Sequence, residues 1–418
     1  MVIKNIRIID PANKRDEVSD LFIKDGRIAF AGGPDADDEV VIDGTGLIAG
    51  PGLVDVHVHF RDPGQTHKET LHTGAMAAIA GGFTSVVMMA NTVPPLDEPG
   101  IIRDVLERAA KEPLHIYTCA ALTKGLGGRD LCDFTALLDA GAVGFTDDGK
   151  PVMDENLLKR ALEETAGLHV PVSLHEEDPA YITENGVNSG QASHALGLTG
   201  SDRKAEYTMI ERDVLLAGAA GAILNIQHIS TAEGVEAVRA AKKSCDTIHA
   251  EATPHHFTLT DLAVAKYGTC AKMNPPLRGA DDREAIWEGL ADGTIDIIAT
   301  DHAPHSKEEK SRDFADAPSG IIGLETSFLL AYQTLVKKDI LDWSKLFELM
   351  SLNPARLYGL DAGTLGDGSI ADIMIFSPLE KTDYSSSASL SENSPFLGKC
   401  FEGKIKYTIV SGKVVFSS

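Results

Sequence analysis

The chain has 418 residues, 43% hydrophobic and 24% charged, which is enough for one large domain and a smaller one with an ordinary buried core. Its formal net charge of −24 argues against binding nucleic acid or an anionic membrane surface, and an anionic ligand would need a local cation. The five cysteines, Cys119, Cys132, Cys245, Cys270 and Cys400, are scattered with no Cys-x-x-Cys, which argues against a disulfide framework or a structural zinc knot.

In chain order, MVIKNIRIID alternates like a strand and lacks the apolar core of a signal peptide. LFIKDGRIAFAGG alternates on both sides of Asp25-Gly26, a tight-hairpin signal, so the first fifty residues read as β. Eight short apolar runs follow: VDVHVHF, FTSVVMMAN, LHIYTCAAL, AVGFTDD, VPVSLHEE, AILNIQHIS, TIHAEATPHH and IDIIATDHAPH, beginning near residues 54, 83, 114, 142, 170, 222, 247 and 295. Most are continuously apolar, as expected of strands covered on both faces. Helix-compatible stretches such as ENLLKRALEETAG and AEGVEAVRAAKKS separate most of them.

Eight β-α units predict an α/β chain folded as a (β/α)8 TIM barrel, with an open doubly wound sheet as the alternative. No Gly-x-Gly-x-x-Gly follows a strand, which argues against a dinucleotide domain. At the far end, IADIMIF reads as a strand and YTIVSGKVVF as a hairpin turning at Ser411-Gly412. The two ends therefore predict one small β-sandwich domain built from both termini: residues 1–50 and 358–418, with the barrel at 51–357. The longest apolar stretch, residues 214–224, is too short to span a bilayer, and a cytoplasmic protein is expected.

The polar residues at the run ends carry the chemistry. His57 and His59 are two apart in a strand, so they project from one side. Alone, the pair reads equally as satisfied core histidines or as two ligands of a divalent ion. In a barrel, however, the C-terminal ends of the strands meet at one mouth. There the fourth run ends in Asp147-Asp148, the fifth in His175, the sixth in His228 and the eighth in Asp301. Ordinary polar strand ends would mix Ser, Thr, Asn and Lys. Four His and one Asp suit one ion with an open position, and a second Asp allows two. An ion so held lowers the pKa of a water and polarises a carbonyl, and a carboxylate at the mouth can move the proton. The expected chemistry is hydrolysis of an amide-like bond, or its reversal.

These residues resemble the metal pattern of the amidohydrolase superfamily. The phrases HVHFRDPG (57–64), MMANTVPP (88–95), GFTDDG (144–149), TPHH (253–256), KMNPPLR (272–278) and ATDHAPH (299–305) resemble those of class I bacterial dihydroorotases, over essentially the whole chain. The resemblance implies reversible cyclisation of N-carbamoyl-L-aspartate to L-dihydroorotate, with Zn2+ as cofactor, one or two ions per chain. It implies that His57, His59 and Asp301 hold one ion and that His175 and His228 hold another. Asp148 then bridges them or replaces the carbamylated lysine of many relatives. Asp301 also acts as general acid and base.

It further implies that Arg61, Asn91 and His305 bind the substrate carboxylate, a task suited to a guanidinium. Asn274 then contacts the ring, and Pro318 and Gly320 contribute from the loop after the eighth run. An ion pair for Arg61 and a turn or cap for Asn91 are the plain alternatives. His255 and His256 are expected in the core or supporting the ligands rather than ligating, and His302 points opposite to Asp301 if the strand continues. A homodimer, and association with aspartate transcarbamoylase, are the implied partnerships.

Two other functions compete. One is a different cyclic-amide hydrolase of hydantoinase or allantoinase type, but those relatives place a lysine after the fourth strand, and AVGFTDDG has none before its aspartates. The other is an inactive structural partner of a transcarbamoylase, which should have lost its metal ligands.

Overall fold

In this computed structural model, which describes residues 1–30 and 41–418, the N-terminal β signal becomes five strands: β1 (Val2–Asp10), β2 (Arg15–Lys24), β3 (Arg27–Ala29), β4 (Val41–Asp43) and β5 (Ile48–Pro51). Asp25 and Gly26 both take positive φ, 50° and 75°, as a type I′ turn requires. Residues 31–33 at the end of that hairpin signal lie outside the described residues.

Seven strands follow in parallel: β6 (Leu53–Val58), β7 (Phe83–Met88), β8 (His115–Thr118), β9 (Val172–Leu174), β10 (Leu224–Ile226), β11 (Ile248–Ala252) and β12 (Ile297–Ile298). β6, β7 and β8 pair in order, as do β9 to β12. The fourth run, AVGFTDD, differs from expectation: it forms single bridges at Phe145 rather than a strand. Gly144 weakens strand pairing there, and the chain turns polar from Thr146. The ladder nonetheless holds on both sides, with Ala120 N donating to Gly144 O (2.9 Å) and Phe145 N to Pro171 O (3.0 Å). A bridge between Val58 and His302 closes the ring, so the sheet is a barrel and not an open sheet.

The helices form where capping and spacing favour them. Thr70 and Thr73 make a reciprocal capping box at the start of the helix Leu71–Ala80. Asp154 accepts from Asn156 N and Leu157 N to open the helix Glu155–Leu168. That helix buries Leu157, Leu158, Ala161, Leu162 and Thr165, the i, i+4 spacing of one apolar face.

The C-terminal strands are β13 (Ile373–Tyr384), β14 (Lys399–Val410) and β15 (Lys413–Ser417). β13 runs antiparallel to β5, with Ile373 opposite Pro51 and Phe376 opposite Ile48. The terminal strands therefore form one eight-stranded sheet in the order β15-β14-β13-β5-β1-β2-β3, with β4 on β1. Its core is Ile-rich, including Ile3, Ile6, Ile8, Ile23, Ile373 and Ile409. Among the described residues no helix is long and apolar enough to cross a membrane.

Candidate metal centre

His57 is the next-to-last residue of β6, and His59 follows the strand end. Asp148 follows the Phe145 bridge, His175 follows β9, His228 lies just past β10, and Asp301 just past β12. All six are buried. His57 Nε2 lies 3.5 Å from Asp148 Oδ1 and 3.5 Å from Asp301 Oδ1. His59 Nε2 lies 3.0 Å from Asp301 Oδ1 and 3.5 Å from Asp148 Oδ2. Across the mouth, His175 Nδ1 lies 3.0 Å from His228 Nε2, and each is 3.9 Å from Asp148 Oδ1.

Two trios emerge, His57–His59–Asp301 and His57–Asp148–His228, with the donor atoms in each within 4.8 Å of one another. Donors about 2.0–2.1 Å from one tetrahedral ion stand roughly 3.3 Å apart, so the short spacings fit a divalent cation. His57 Nε2 is a buried atom with no hydrogen-bond partner, which an ion would satisfy.

Neighbouring groups set which ring nitrogen is free. Asn91 Oδ1 accepts from His59 Nδ1 (2.8 Å), and Asn91 Nδ2 donates to Asp148 Oδ2 (3.0 Å). Glu251 Oε1 lies 3.3 Å from His57 Nδ1, and Glu177 Oε2 lies 3.1 Å from His175 Nε2. Each ring thus offers its other nitrogen to the centre. Asp55, in line with the His pair, accepts from Thr300 N and His57 N (3.1 Å each) and so holds the backbone beside Asp301. Asp147 turns away from the mouth, accepting from Leu122 N (2.8 Å) and Thr123 N (3.0 Å).

The electrostatics follow from burial and crowding. Burial alone would depress His57, but Glu251, Asp301 and Asp148 carry it well above its ordinary value. Burial opposes ionisation of Asp148, yet His57, His59 and His175 hold it well below the carboxylate range. His228 is pushed well down, by burial and then by His175 and His57, so its ring is neutral. Ionised Asp148 and neutral His228 are in the forms that ligate, whereas His57 would release a proton on binding an ion.

Arg61, Asn91, Asn274, Pro318 and Gly320 line a pocket of about 320 Å³ together with His59, Asp148, His175, His228 and Asp301. Arg61 is half-buried at its edge on a left-handed backbone, φ 57°, and donates from Nε to Pro304 O (3.3 Å). His305 stands differently from the other expected residues: it does not line the pocket, and its Nε2 lies 3.4 Å from Arg61 Nη2. Burial, then Arg61, pushes His305 down to about 2, so its ring is a neutral acceptor. A larger cavity of about 700 Å³ opens beside His115 and Ser411, near the start of β8, and contains none of these residues.

Sequence reasoning missed Glu251, Glu177 and Asn185, the last a pocket-lining residue. Glu251 had a signal: a carboxylate inside the apolar run TIHAEATPHH must have a partner if it is buried. The remaining histidines of these run ends are held by other groups. His302 reaches Glu69 Oε2 (3.2 Å) and His256 reaches Pro275 O (3.0 Å). His255 is buried against His256.

Residues 48–415 match the amidohydrolase family. The dihydroorotase of Clostridioides difficile (strain 630) is 51% identical over 420 residues, covering 100% of both chains. That of Lactococcus lactis subsp. lactis (strain IL1403) is 47% identical over 422 residues, covering 100% of this chain and 99% of the relative. Among solved structures, the L-hydantoinase (dihydropyrimidinase) from Arthrobacter aurescens superposes with a TM-score of 0.87 at 28% identity, covering 100% of this chain and 96% of that one. The dihydropyrimidinase from Brevibacillus agri NCHU1002 shares the fold, with a TM-score of 0.86 at 22% identity and coverage of 100% and 95%.

Proposed function

Because this chain belongs to the amidohydrolase family, we propose that it is a metal-dependent dihydroorotase, interconverting N-carbamoyl-L-aspartate and L-dihydroorotate in pyrimidine synthesis. Dihydroorotases at 51% and 47% identity over the full length support the reaction. The observation that carries the substrate is Arg61, a part-buried guanidinium lining the same pocket as the His/Asp cluster. A carboxylate-bearing ring needs such a cation in a chain of net charge −24, whereas a neutral hydantoin does not.

His57, His59 and Asp301 would hold one ion, and His175 and His228 a second, with Asp148 between them. The position of Asp148 within 3.9 Å of all four histidines supports that bridging role. The imidazole-rich donor set suits zinc. Bound ions supply Lewis acidity, activating a water and polarising a carbonyl. The protein's own part is proton movement and orientation. The Asp301 carboxylate, at the pocket wall, takes a proton in one direction and returns it in the other. Arg61 binds the substrate carboxylate, and its neutral partner His305 keeps the guanidinium in place or shares the anion. Asn91 orients His59 and Asp148 and faces the substrate. Asn274, Pro318 and Gly320 bound the ring.

The same reading assigns residues 51–357 to the catalytic barrel and 1–50 with 358–418 to the small domain. It places the protein in the cytoplasm, which five free cysteines support. It also includes a homodimer and association with aspartate transcarbamoylase, tested by sedimentation with and without that enzyme.

The decisive experiment is turnover of dihydroorotate by purified protein, before and after chelation and with Zn2+ restored, beside hydantoin and allantoin. Metal-dependent opening of dihydroorotate alone is expected. Turnover of a neutral cyclic amide instead would keep the metal chemistry and overturn the role of Arg61.

A further inference from the structure

Between β13 and β14 the chain leaves the terminal sheet for residues 385–398, a serine-rich stretch, SSSASLSENSPFLG. The stretch is tied down along its length. Leu390 N donates to Glu69 Oε1 (3.1 Å), and Ser391 Oγ donates to Lys68 O (2.7 Å). Asn393 follows, only 3% exposed. Its Oδ1 accepts from His305 N (3.0 Å), and its Nδ2 donates to Ala303 O (3.0 Å) and Gly320 O (3.1 Å). Its own carbonyl accepts from Ile322 N (3.2 Å).

Those partners belong to two different loops. Residues 303–305 follow β12, and residues 318–322 return from the excursion beyond it. Ala303, Pro318, Ser319 and Gly320 form one wall of the substrate pocket. The loops touch directly at Gly320, where φ is +133° and a Cβ would meet Ala303 Cβ at 2.8 Å and His305 Cδ2 at 3.1 Å. The contact has no room for adjustment, so the relative placement of the loops decides the shape of the wall. One side chain from the terminal domain, Asn393, bonds to both.

We propose that Asn393 is a positioning residue for the reaction: it fixes the spacing between the 303–305 and 318–322 loops, and so the wall against which the substrate ring and carboxylate seat. This rests on the dihydroorotase reading for its kinetic consequence, but not for its structural one. Asn393 hydrogen-bonds to none of the proposed metal ligands and does not line the pocket, so it acts through the backbone of residues that do. Ser391 provides the contrast. It anchors the same segment to Lys68, and its hydrogen bonds reach neither loop.

The test compares wild type, Asn393→Ala, Asn393→Asp and Ser391→Ala in the full chain loaded with Zn2+. Dihydroorotate kinetics, melting temperature, bound metal and hydrogen exchange at residues 302–306 and 318–323 are read for each. Asn393→Ala should raise KM roughly 10- to 100-fold with kcat within about threefold, leave bound metal unchanged, and speed exchange in both segments. Asn393→Asp keeps the acceptor for His305 N but loses the donors to Ala303 and Gly320. It should also raise KM, and it carries the test if the alanine variant does not fold. Ser391→Ala should lower the melting temperature with KM unchanged. A lower melting temperature with unchanged KM in both Asn393 variants, or equal KM effects from Ser391→Ala, would reduce Asn393 to scaffold. If wild type does not open dihydroorotate, the functional reading fails on its own. Exchange then still decides whether Asn393 holds the two loops, because unaltered exchange overturns that as well.

Discussion

Nδ1 of His57 stands 3.3 Å from Oε1 of Glu251, and the same carboxylate oxygen accepts from Asn225 Nδ2 at 3.1 Å. Asn225 in turn donates to Ser173 Oγ (3.1 Å), which lies 2.6 Å from Tyr358 OH. His57, shared by both ligand trios, is therefore oriented by a buried polar chain that continues to the residue after the helix Asn353–Leu357. Glu251→Gln keeps the shape of the side chain and removes its charge. Metal affinity should fall about 10- to 100-fold, read as the chelator concentration that strips half the metal, with activity returning at saturating Zn2+. Unchanged retention would leave Glu251 a packing residue only.

Asp301→Asn should fold and yet lose roughly 10²- to 10⁴-fold in turnover at saturating metal, the range for a positioned proton carrier. Metal content assayed on the same sample separates this from loss of a ligand. Near-normal turnover with metal intact would end the acid–base assignment.

Arg61→Met keeps an apolar stem and removes the cation. Charge-assisted hydrogen bonds contribute about 1.5–3 kcal/mol, so KM for dihydroorotate should rise roughly 10- to 100-fold, with a far smaller effect on the melting temperature. An unchanged KM would rule out the carboxylate clamp.

Far from the metal centre, His115 Nε2 at the start of β8 lies 3.1 Å from Asp372 Oδ2, just before β13. The Asp372 carboxylate raises His115 above its ordinary value of about 6.5, against its burial, and Asp361 adds to the effect. A group whose folded pKa is raised contributes stability fully below its unfolded pKa and loses it as pH climbs through the folded one. The tie between barrel and terminal sheet should therefore be intact below about pH 6.5 and weaken above it. Asp372→Asn should lower the melting temperature more at pH 6 than at pH 9. A loss that does not vary with pH would show that Asp372 acts only through its bond from Ser411 N.

The parts of this molecule legible in its sequence are those that depend on local periodicity. The His57–His59 spacing, the two Gly-containing hairpins and the helices at 155–168 and 232–242 each follow from chain geometry within a few residues. The barrel was legible because eight short apolar runs alternate with helix-compatible stretches, and its mouth because several of those runs end in ligand-type residues. The fourth strand was overestimated because an apolar run containing Gly144 has the composition of a strand but not its pairing strength. Glu251, Glu177 and Asn393 were invisible for another reason. Their roles come from partners 194, 2 and 88 positions away, and even the nearest of these is a bond to a ring nitrogen that no spacing rule specifies. His305 illustrates the middle case, since its neighbourhood to Arg61 was legible and its place beside the pocket was not.

The pairing of β5 with β13 carries a consequence for how the chain is made. Ile48–Pro51 leave the ribosome early, but their partners Ile373–Phe376 and the segment bearing Asn393 are translated only after the whole barrel. At about 5–20 residues per second, the N-terminal strands wait tens of seconds with an open sheet edge, the kind of edge that recruits foreign strands. A nascent chain stalled before residue 373 would hold every proposed metal ligand and still lack both the cover for that edge and the stitch across its substrate wall. Translation pauses late in the message would therefore yield aggregating, catalytically impaired protein from a chain whose barrel residues are all present.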